Sequence, residues 1–298
     1  MWAPNQDASP LRQSLSPEIV FPVNGTMAAM ISSLDRLLAI MARLRDPQRG
    51  CPWDREQDFS TIAPYTIEEA YEVADAIARG DAAALKDELG DLLFQVVFHA
   101  RIAEEAGLFT FEDVASAISD KMERRHPHVF ASAEVASVAA QNEAWEAHKA
   151  AERRARAREA GTPESVLDGV ALALPALMRA VKLQKRAARI GFDWSNAQAV
   201  FEKITEEIGE LSAELDAAAG RARLEDEMGD ILFAVANLAR KLDIEPESAL
   251  RGASAKFERR FRRMELLAAG RGTGTTIGEL EALWQEVKRE DGPPRSGT

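Results

Sequence analysis

Hydrophobic residues along this chain recur at the three- and four-residue intervals of α-helices, and no segment shows the period-two alternation of strands. The first run is Leu34, Leu37, Leu38, Met41 and Leu44, stopped by Asp46-Pro47 and Gly50. A loop carrying Cys51-Pro52-Trp53-Asp54 follows. The spacing predicts a second helix from near Pro64 to Ala78, with Gly80 behind it, and a third from Asp81, a suitable N-cap, to Gly107. Thr110 caps another that stops at His126-Pro127. A further helix passes through Trp145 into the charged stretch at 151–160, which reads as a solvated helical linker. Beyond Gly161-Thr162-Pro163, helices are predicted near 175–189, 196–218, 221–242, 246–268 and 276–290, broken at Gly191-Phe192-Asp193-Trp194, Gly220 and Pro246. The fold class is therefore all-α.

The chain also repeats itself. Glu-Glu-Ala-Tyr-Glu at 68–72 precedes Glu-Leu-Gly-Asp-Leu-Leu-Phe at 88–94, then Asp-Lys-Met-Glu-Arg-Arg at 120–125 and Trp-Glu-Ala-His-Lys at 145–149. In the same order come Glu-Glu-Ile-Gly-Glu at 206–210, Glu-Met-Gly-Asp-Ile-Leu-Phe at 227–233, Ala-Lys-Phe-Glu-Arg-Arg at 255–260 and Trp-Gln-Glu-Val-Lys at 284–288. One helical hairpin has been duplicated, giving tandem bundles. The expected organisation is an N-terminal extension at 1–29, a first domain at 30–148, a charged linker at 149–174, a second domain at 175–290 and a tail at 291–298.

Residues three apart share a helix face, so Glu69 projects with Glu72, and Glu88 with Asp91. Antiparallel packing across a short turn brings these four carboxylates together. The second copy supplies Glu207, Glu210, Glu227 and Asp230. Acids so gathered repel unless a cation neutralises them, and hard oxygen donors suit Mg²⁺, with Mn²⁺ as a substitute. Taken singly, such acids are ordinarily the solvated side of an amphipathic helix. Their recurrence tips the balance, as do the mid-helix glycines Gly90 and Gly229, which cost about 1 kcal/mol relative to Ala and suggest close backbone approach. Lys121 with Arg125, and Lys256 with Arg260, lie four apart, a spacing that suits a polyphosphate as well as a surface salt-bridge row. Trp145 reads as core; Trp284 is equally suited to the core and to stacking on a base.

Composition narrows the function. A net charge of −12 excludes a protein that wraps nucleic acid. One cysteine, Cys51, excludes a disulfide scaffold and points to a reducing compartment. No apolar run is long enough to span a bilayer, and residues 1–26 lack the basic start and apolar stretch of a signal peptide, so a cytoplasmic protein without membrane contact is expected.

Three other signals carry little. The Gly270 to Gly278 stretch follows no strand and lacks the Gly-Lys-Ser/Thr ending of a phosphate loop. His126-Pro127-His128 lacks the further ligands of a zinc site. Glu123 and His126 have the Glu-x-x-His spacing of di-iron bundles, but the second copy has Phe261 at that His.

The order of Glu-x-x-Glu, Glu-x-x-Asp and Lys-x-x-x-Arg, with Cys-Pro-Trp-Asp upstream and Gly-Phe-Asp-Trp in the second copy, resembles the MazG family of nucleoside triphosphate pyrophosphohydrolases. The resemblance runs from residue 30 to about 290 and includes Glu-Arg-Arg-His-Pro-His-Val-Phe and Phe-Glu-Arg-Arg-Phe. It implies tandem all-α domains, homodimers whose helices complete each other's bundles, and Mg²⁺-dependent conversion of NTPs and dNTPs to monophosphate and pyrophosphate. Carried onto this chain, it implies metal ligation by Glu207, Glu210, Glu227 and Asp230. The implied nucleotide contacts are Lys203, Glu206, Lys256, Arg260 and Trp284, with Lys149 reaching in from the linker. The second copy ranks first, as the competent domain of two-domain relatives, and the first lacks a phosphate-facing cation, with Tyr65 where the second has Lys203. Asp58-Phe59 departs from the Thr-His common in the family. The mechanism expected has water, its pKa lowered by Mg²⁺, attack the α-phosphorus while Lys203, Lys256 and Arg260 neutralise the leaving group. Glu206 either contacts the nucleotide or orients the water. A dUTPase-like phosphohydrolase of narrower substrate and a non-enzymatic helical scaffold are the alternatives.

Overall fold

The computed structural model describes residues 32–131, 137–272 and 276–292. The expected extension at 1–29 and residues 293–298 of the expected tail lie outside them. Every regular element among the described residues is a helix. The chain divides into two compact units, Met1–Val138 and Ala139–Thr298.

In the first unit, α1 (Ser33–Leu44) is followed by the short α2 (Pro52–Glu56), by the hairpin of α3 (Phe59–Arg79) and α4 (Ala82–Glu105), and by α5 (Phe111–Arg125) and α6 (Pro127–Phe130). The hairpin closes over Gly80, at φ +69, and Asp81, whose carboxylate accepts from the N–H groups of Ala83 and Ala84. Helices α1 and α5 pack against α4. Met41, Ile62, Val97, Phe98 and Ile102 form the core, with Leu37, Leu38, Phe94 and Phe111 around it.

Two expectations change here. Helix α3 begins at Phe59, five residues before Pro64, because Asp58 and Thr61 close a capping box at its N-terminus. Pro64 then sits inside the helix, where it forfeits the N–H that would have bonded to Ser60. The Cys51–Asp54 segment, expected as a loop, is mostly helical, with Pro52 in the first turn. Arg45 fastens it. This guanidinium donates to the carbonyl oxygens of Asp54 (2.5 Å) and Gln57 (3.0 Å) and pairs with Glu105 at 2.7 Å.

The second unit holds α7 (Val138–Ala160), α8 (Ala176–Ala188), the hairpin of α9 (Ala197–Asp216) and α10 (Arg221–Lys241), and the hairpin of α11 (Pro246–Arg271) and α12 (Ile277–Asp291). Helix α8 packs on α10, and Gln184 donates to the Phe233 carbonyl oxygen at 2.8 Å. Met264, Leu283 and Val287 make the core of the second hairpin. Helix α11 extends past the expected stop near 268 to Arg271, where Gly272, at φ +63, ends it.

Counting from Glu88 and Glu227 sets Phe98 against Asn237. Phe98 fills the first unit's core, edge-on to Trp53 and Phe94. Around Asn237 lies instead a cavity of about 200 Å³ walled by Leu183, Phe192, Trp194 and Phe233. The two copies are therefore packed differently. Phe98→Ala is expected to cost the first unit about 3–5 kcal/mol, read by urea unfolding; a loss under 1 kcal/mol, about what one buried methylene contributes, would show that Phe98 is not central to this core.

Candidate functional site

Each hairpin carries its acids on one face. On α9 and α10, oxygens of Glu207, Glu227 and Asp230 lie within 4.8 Å of one another; on α3 and α4, oxygens of Glu69, Glu88 and Asp91 do the same. Glu72 and Glu210, the fourth acid of each expected set, stand on the exposed side and act on the cluster through their charge. Desolvation, then repulsion from Asp91 and Glu72, pushes the Glu69 carboxyl above its ordinary range. Glu88 is raised by desolvation and by Glu72 and Asp91, and Glu210 by desolvation and Glu207.

The two clusters differ in their counter-charges. In the second unit, Lys203 sits 2.8 Å from Glu207 and 2.9 Å from Glu206. Those two carboxylates hold the ammonium well above the usual lysine range, so it is a permanent cation. Arg223 clamps Glu227 at 2.9 Å and Glu214 at 2.7 Å. In the first unit the equivalent positions are Tyr65, which packs edge-on to Trp53, and Ala84. The spacing Arg223-x-x-x-Glu227 was legible in the sequence as an i, i+4 pair, but only the fold shows that it grips the cluster.

Glu207 and Glu227 are buried, at 5 % and 7 % exposure. One Glu207 oxygen, Oε2, has no hydrogen-bond partner among the described residues. A buried carboxylate oxygen left without a donor costs about 1–3 kcal/mol or more, and a hard cation held by neighbouring carboxylates removes that cost. The residues present thus fit a divalent cation.

The family model described as "MazG nucleotide pyrophosphohydrolase domain" matches residues 57–130 and again 195–264. The chain is 53 % identical over 265 residues to the nucleoside triphosphate pyrophosphohydrolase of Escherichia coli (strain K12), covering 88 % of this chain and 99 % of that one. This chain belongs to the MazG family. It is also 41 % identical over 260 residues to the nucleoside triphosphate pyrophosphohydrolase/pyrophosphatase MazG of Thermotoga maritima, covering 86 % of this chain and 96 % of that one. With the nucleoside triphosphate pyrophosphohydrolase of Mycobacterium tuberculosis it shares 37 % identity over 185 residues, 61 % of this chain and 53 % of the other.

Both matched MazG segments contain a complete acidic set. The remaining expected residues are placed elsewhere in the second unit. Lys256 is exposed on α11, and Arg260 pairs with Asp291 of α12 at 2.8 Å. Trp284 leans on Phe257 and on the Met264, Leu283 and Val287 core, so part of its ring is spent on packing. Lys149, on α7, pairs with Glu146 at 3.0 Å and lies over the half-buried Trp145 ring. In the first unit, Lys121 and Arg125 lie on α5, and the Glu123–His126 pair forms no metal cluster among the described residues. Asp58-Phe59, where the resemblance implies Thr-His, has a local use: Asp58 caps α3 and Phe59 stacks on His99.

Gly90 and Gly229 do not mark the close backbone approach that their mid-helix positions suggest. A Cβ at Gly90 or Gly229 would meet nothing within 4 Å, so no backbone or side chain of the same chain approaches either closely among the described residues.

The raised carboxyls set a pH dependence. Their folded pKa exceeds the unfolded value, so just above the ordinary carboxylate range the folded chain binds more protons, and their contribution to stability falls as pH rises through that window. A divalent cation at a hundred times its dissociation constant adds about 2.7 kcal/mol. The gain in melting temperature, read by scanning fluorimetry in EDTA against added Mg²⁺, is expected to be larger at about pH 8 than at about pH 5. Equal gains at both would mean that the cation does not bind these acids.

Proposed function

We propose that this chain hydrolyses nucleoside triphosphates, ribo and deoxyribo, to the monophosphate and pyrophosphate, with the second unit as its working site. The observation that carries the reading is the cluster of Glu207, Glu227 and Asp230 with its partnerless buried oxygen, in a MazG chain similar over most of its length to proteins named for that activity. Glu207, Glu210, Glu227 and Asp230 would hold the cation, and Mg²⁺ is the ion we assign, because four hard carboxylates suit it. The chemistry such an ion supplies when bound is neutralisation of phosphoryl oxygens and a lowered pKa for water.

The chain's own residues do the rest. Lys203, already charged and beside the cluster, is positioned to trade its carboxylate contacts for a phosphate oxygen, which stabilises the leaving pyrophosphate without moving a proton. Glu206, exposed on the same helix turn, faces the nucleotide or the attacking water. Lys256, Arg260 and Trp284 of the α11–α12 hairpin supply further contacts to phosphates and base. The first unit keeps Glu69, Glu72, Glu88 and Asp91 but has Tyr65 in place of Lys203, which favours a cation-binding and structural part for it.

The working form we propose is a homodimer. Phe201, Ile208, Met228 and Leu232 on α9 and α10, and Ile67, Tyr71, Leu89 and Leu93 on α3 and α4, are all at least 40 % exposed. So much apolar surface beside bare Gly90 and Gly229 suits helices of a second copy. No helix among the described residues is long and apolar enough to cross a membrane, and the cytoplasm, where nucleoside triphosphates are made and used, is the compartment we assign.

Glu207→Gln is expected to lower NTP turnover by at least about two orders of magnitude, while Glu69→Gln leaves most of it; the assay is Mg²⁺-dependent release of monophosphate and pyrophosphate from a panel of NTPs and dNTPs, with an EDTA control. Release of diphosphate and phosphate would refute attack at the α-phosphorus, and turnover confined to dUTP would establish the narrower enzyme. Analytical ultracentrifugation is expected to show a dimer of 32.7 kDa chains that Leu232→Glu dissociates; a wild-type monomer would refute the assembly.

A further inference from the structure

A second cavity in the Ala139–Thr298 unit has the opposite electrostatic character. It lies between α7, α8 and the segment leading into α8, encloses about 610 Å³, and includes none of the clustered acids. That volume is in the range of small-ligand sites, which run from about 300 to about 1,000 Å³. Its floor is apolar, with Val170, Leu174, Met178 and Val181, and its walls carry Lys149, Lys182, Lys185, Arg186 and Arg189 against Glu146 and Glu245.

These acids do not balance the cations. Glu146 alone serves both Lys149, at 3.0 Å, and Arg189, at 2.5 Å. Glu245 is engaged in capping α11 through the N–H groups of Glu247 and Ser248. Arg186 donates to the neutral carbonyl oxygens of Val166 and Asp168, each at 3.1 Å. Lys182 and Lys185 are exposed and make no ion pair among the described residues. Desolvation, then the nearby Arg189, lowers the Arg186 guanidinium from its usual value against the opposing charges of Glu146 and Asp168. A chain of net charge −12 thus gathers an excess of like-charged groups over an apolar floor, an arrangement that a bound polyanion relieves.

The geometry points to a second anion site: the α7–α8 groove takes a phosphate-bearing small molecule without a metal ion, its phosphates against Lys182, Lys185, Arg186 and Arg189 and its apolar part on Met178 and Val181. Arginine and lysine divide the work there, the fork of the guanidinium fixing orientation and the ammonium groups supplying charge. Lys149, an expected nucleotide contact, also lines this groove. The site is independent of the acidic clusters, which repel phosphates unless a cation is present.

That difference makes the test. Inorganic pyrophosphate is titrated calorimetrically into the full-length chain in EDTA. One site per chain is expected, weakening as salt is raised, unchanged in Glu207→Gln and weakened at least tenfold by Lys182→Glu with Lys185→Glu. Both lysines are exposed, so the double variant is expected to keep the wild-type circular dichroism and melting temperature, and its kcat for NTPs. No binding in EDTA, equal affinity in the double variant, or an equal loss in Glu207→Gln would overturn the site. A non-hydrolysable triphosphate with Mg²⁺ is expected to bind alongside the pyrophosphate; one-for-one displacement would show the groove to be an arm of the nucleotide site and overturn its independence.

Discussion

Mutual repulsion among carboxylates that share one hairpin face is the constraint from which the rest of this structure follows. Helix packing forces the acids of α9 and α10 together, and burial removes the water that would otherwise screen them. The protein answers with Lys203 and Arg223, each held to a buried glutamate, yet leaves one Glu207 oxygen without a donor. Partial compensation of this kind is suited to a site that accepts a cation and a polyanion together, since both complete the charge balance that the fold leaves open.

The first unit answers the same constraint differently. With Tyr65 and Ala84 at the positions of Lys203 and Arg223, none of its clustered acids pairs with a lysine or arginine among the described residues, Arg79 acts on Glu88 only through its charge, and Glu69 and Glu88 resist ionisation. Its interior holds Phe98 where the second unit has Asn237 beside a cavity. The two copies thus differ, one with Tyr65 and Ala84 at these positions and the other with charged side chains within reach of the acids.

Much of this was written in the residue spacing. The repeat, the helical hairpins and the pairing of Glu69 with Glu88 and of Glu207 with Glu227 follow from periodicity and order alone. The start of α3 did not: Pro64 reads as a boundary, whereas the structure sets the boundary at the Asp58–Thr61 capping box. Nor did the helical turn at Cys51–Asp54, which depends on Arg45 reaching from α1 to its carbonyl oxygens. Gly90 and Gly229 suggested a close approach that the chain itself does not make. The basic groove was equally hidden: Lys149 and Lys185 are distant in sequence, and only the placement of α7 against α8 makes them neighbours.

The tight turn at Gly80-Asp81 bears on how the chain comes to be folded. Helices joined across two residues find each other by local search, and structures dominated by such near-neighbour contacts fold in microseconds to milliseconds. The amino-terminal hairpin can therefore form while its twin is still being synthesised. Tandem copies of one sequence carry the hazard of pairing with each other's helices, and unlike interiors guard against it. An exchanged helix would set the Asn237 amide in the apolar core that Phe98 fills, at the cost of burying a polar group without a partner.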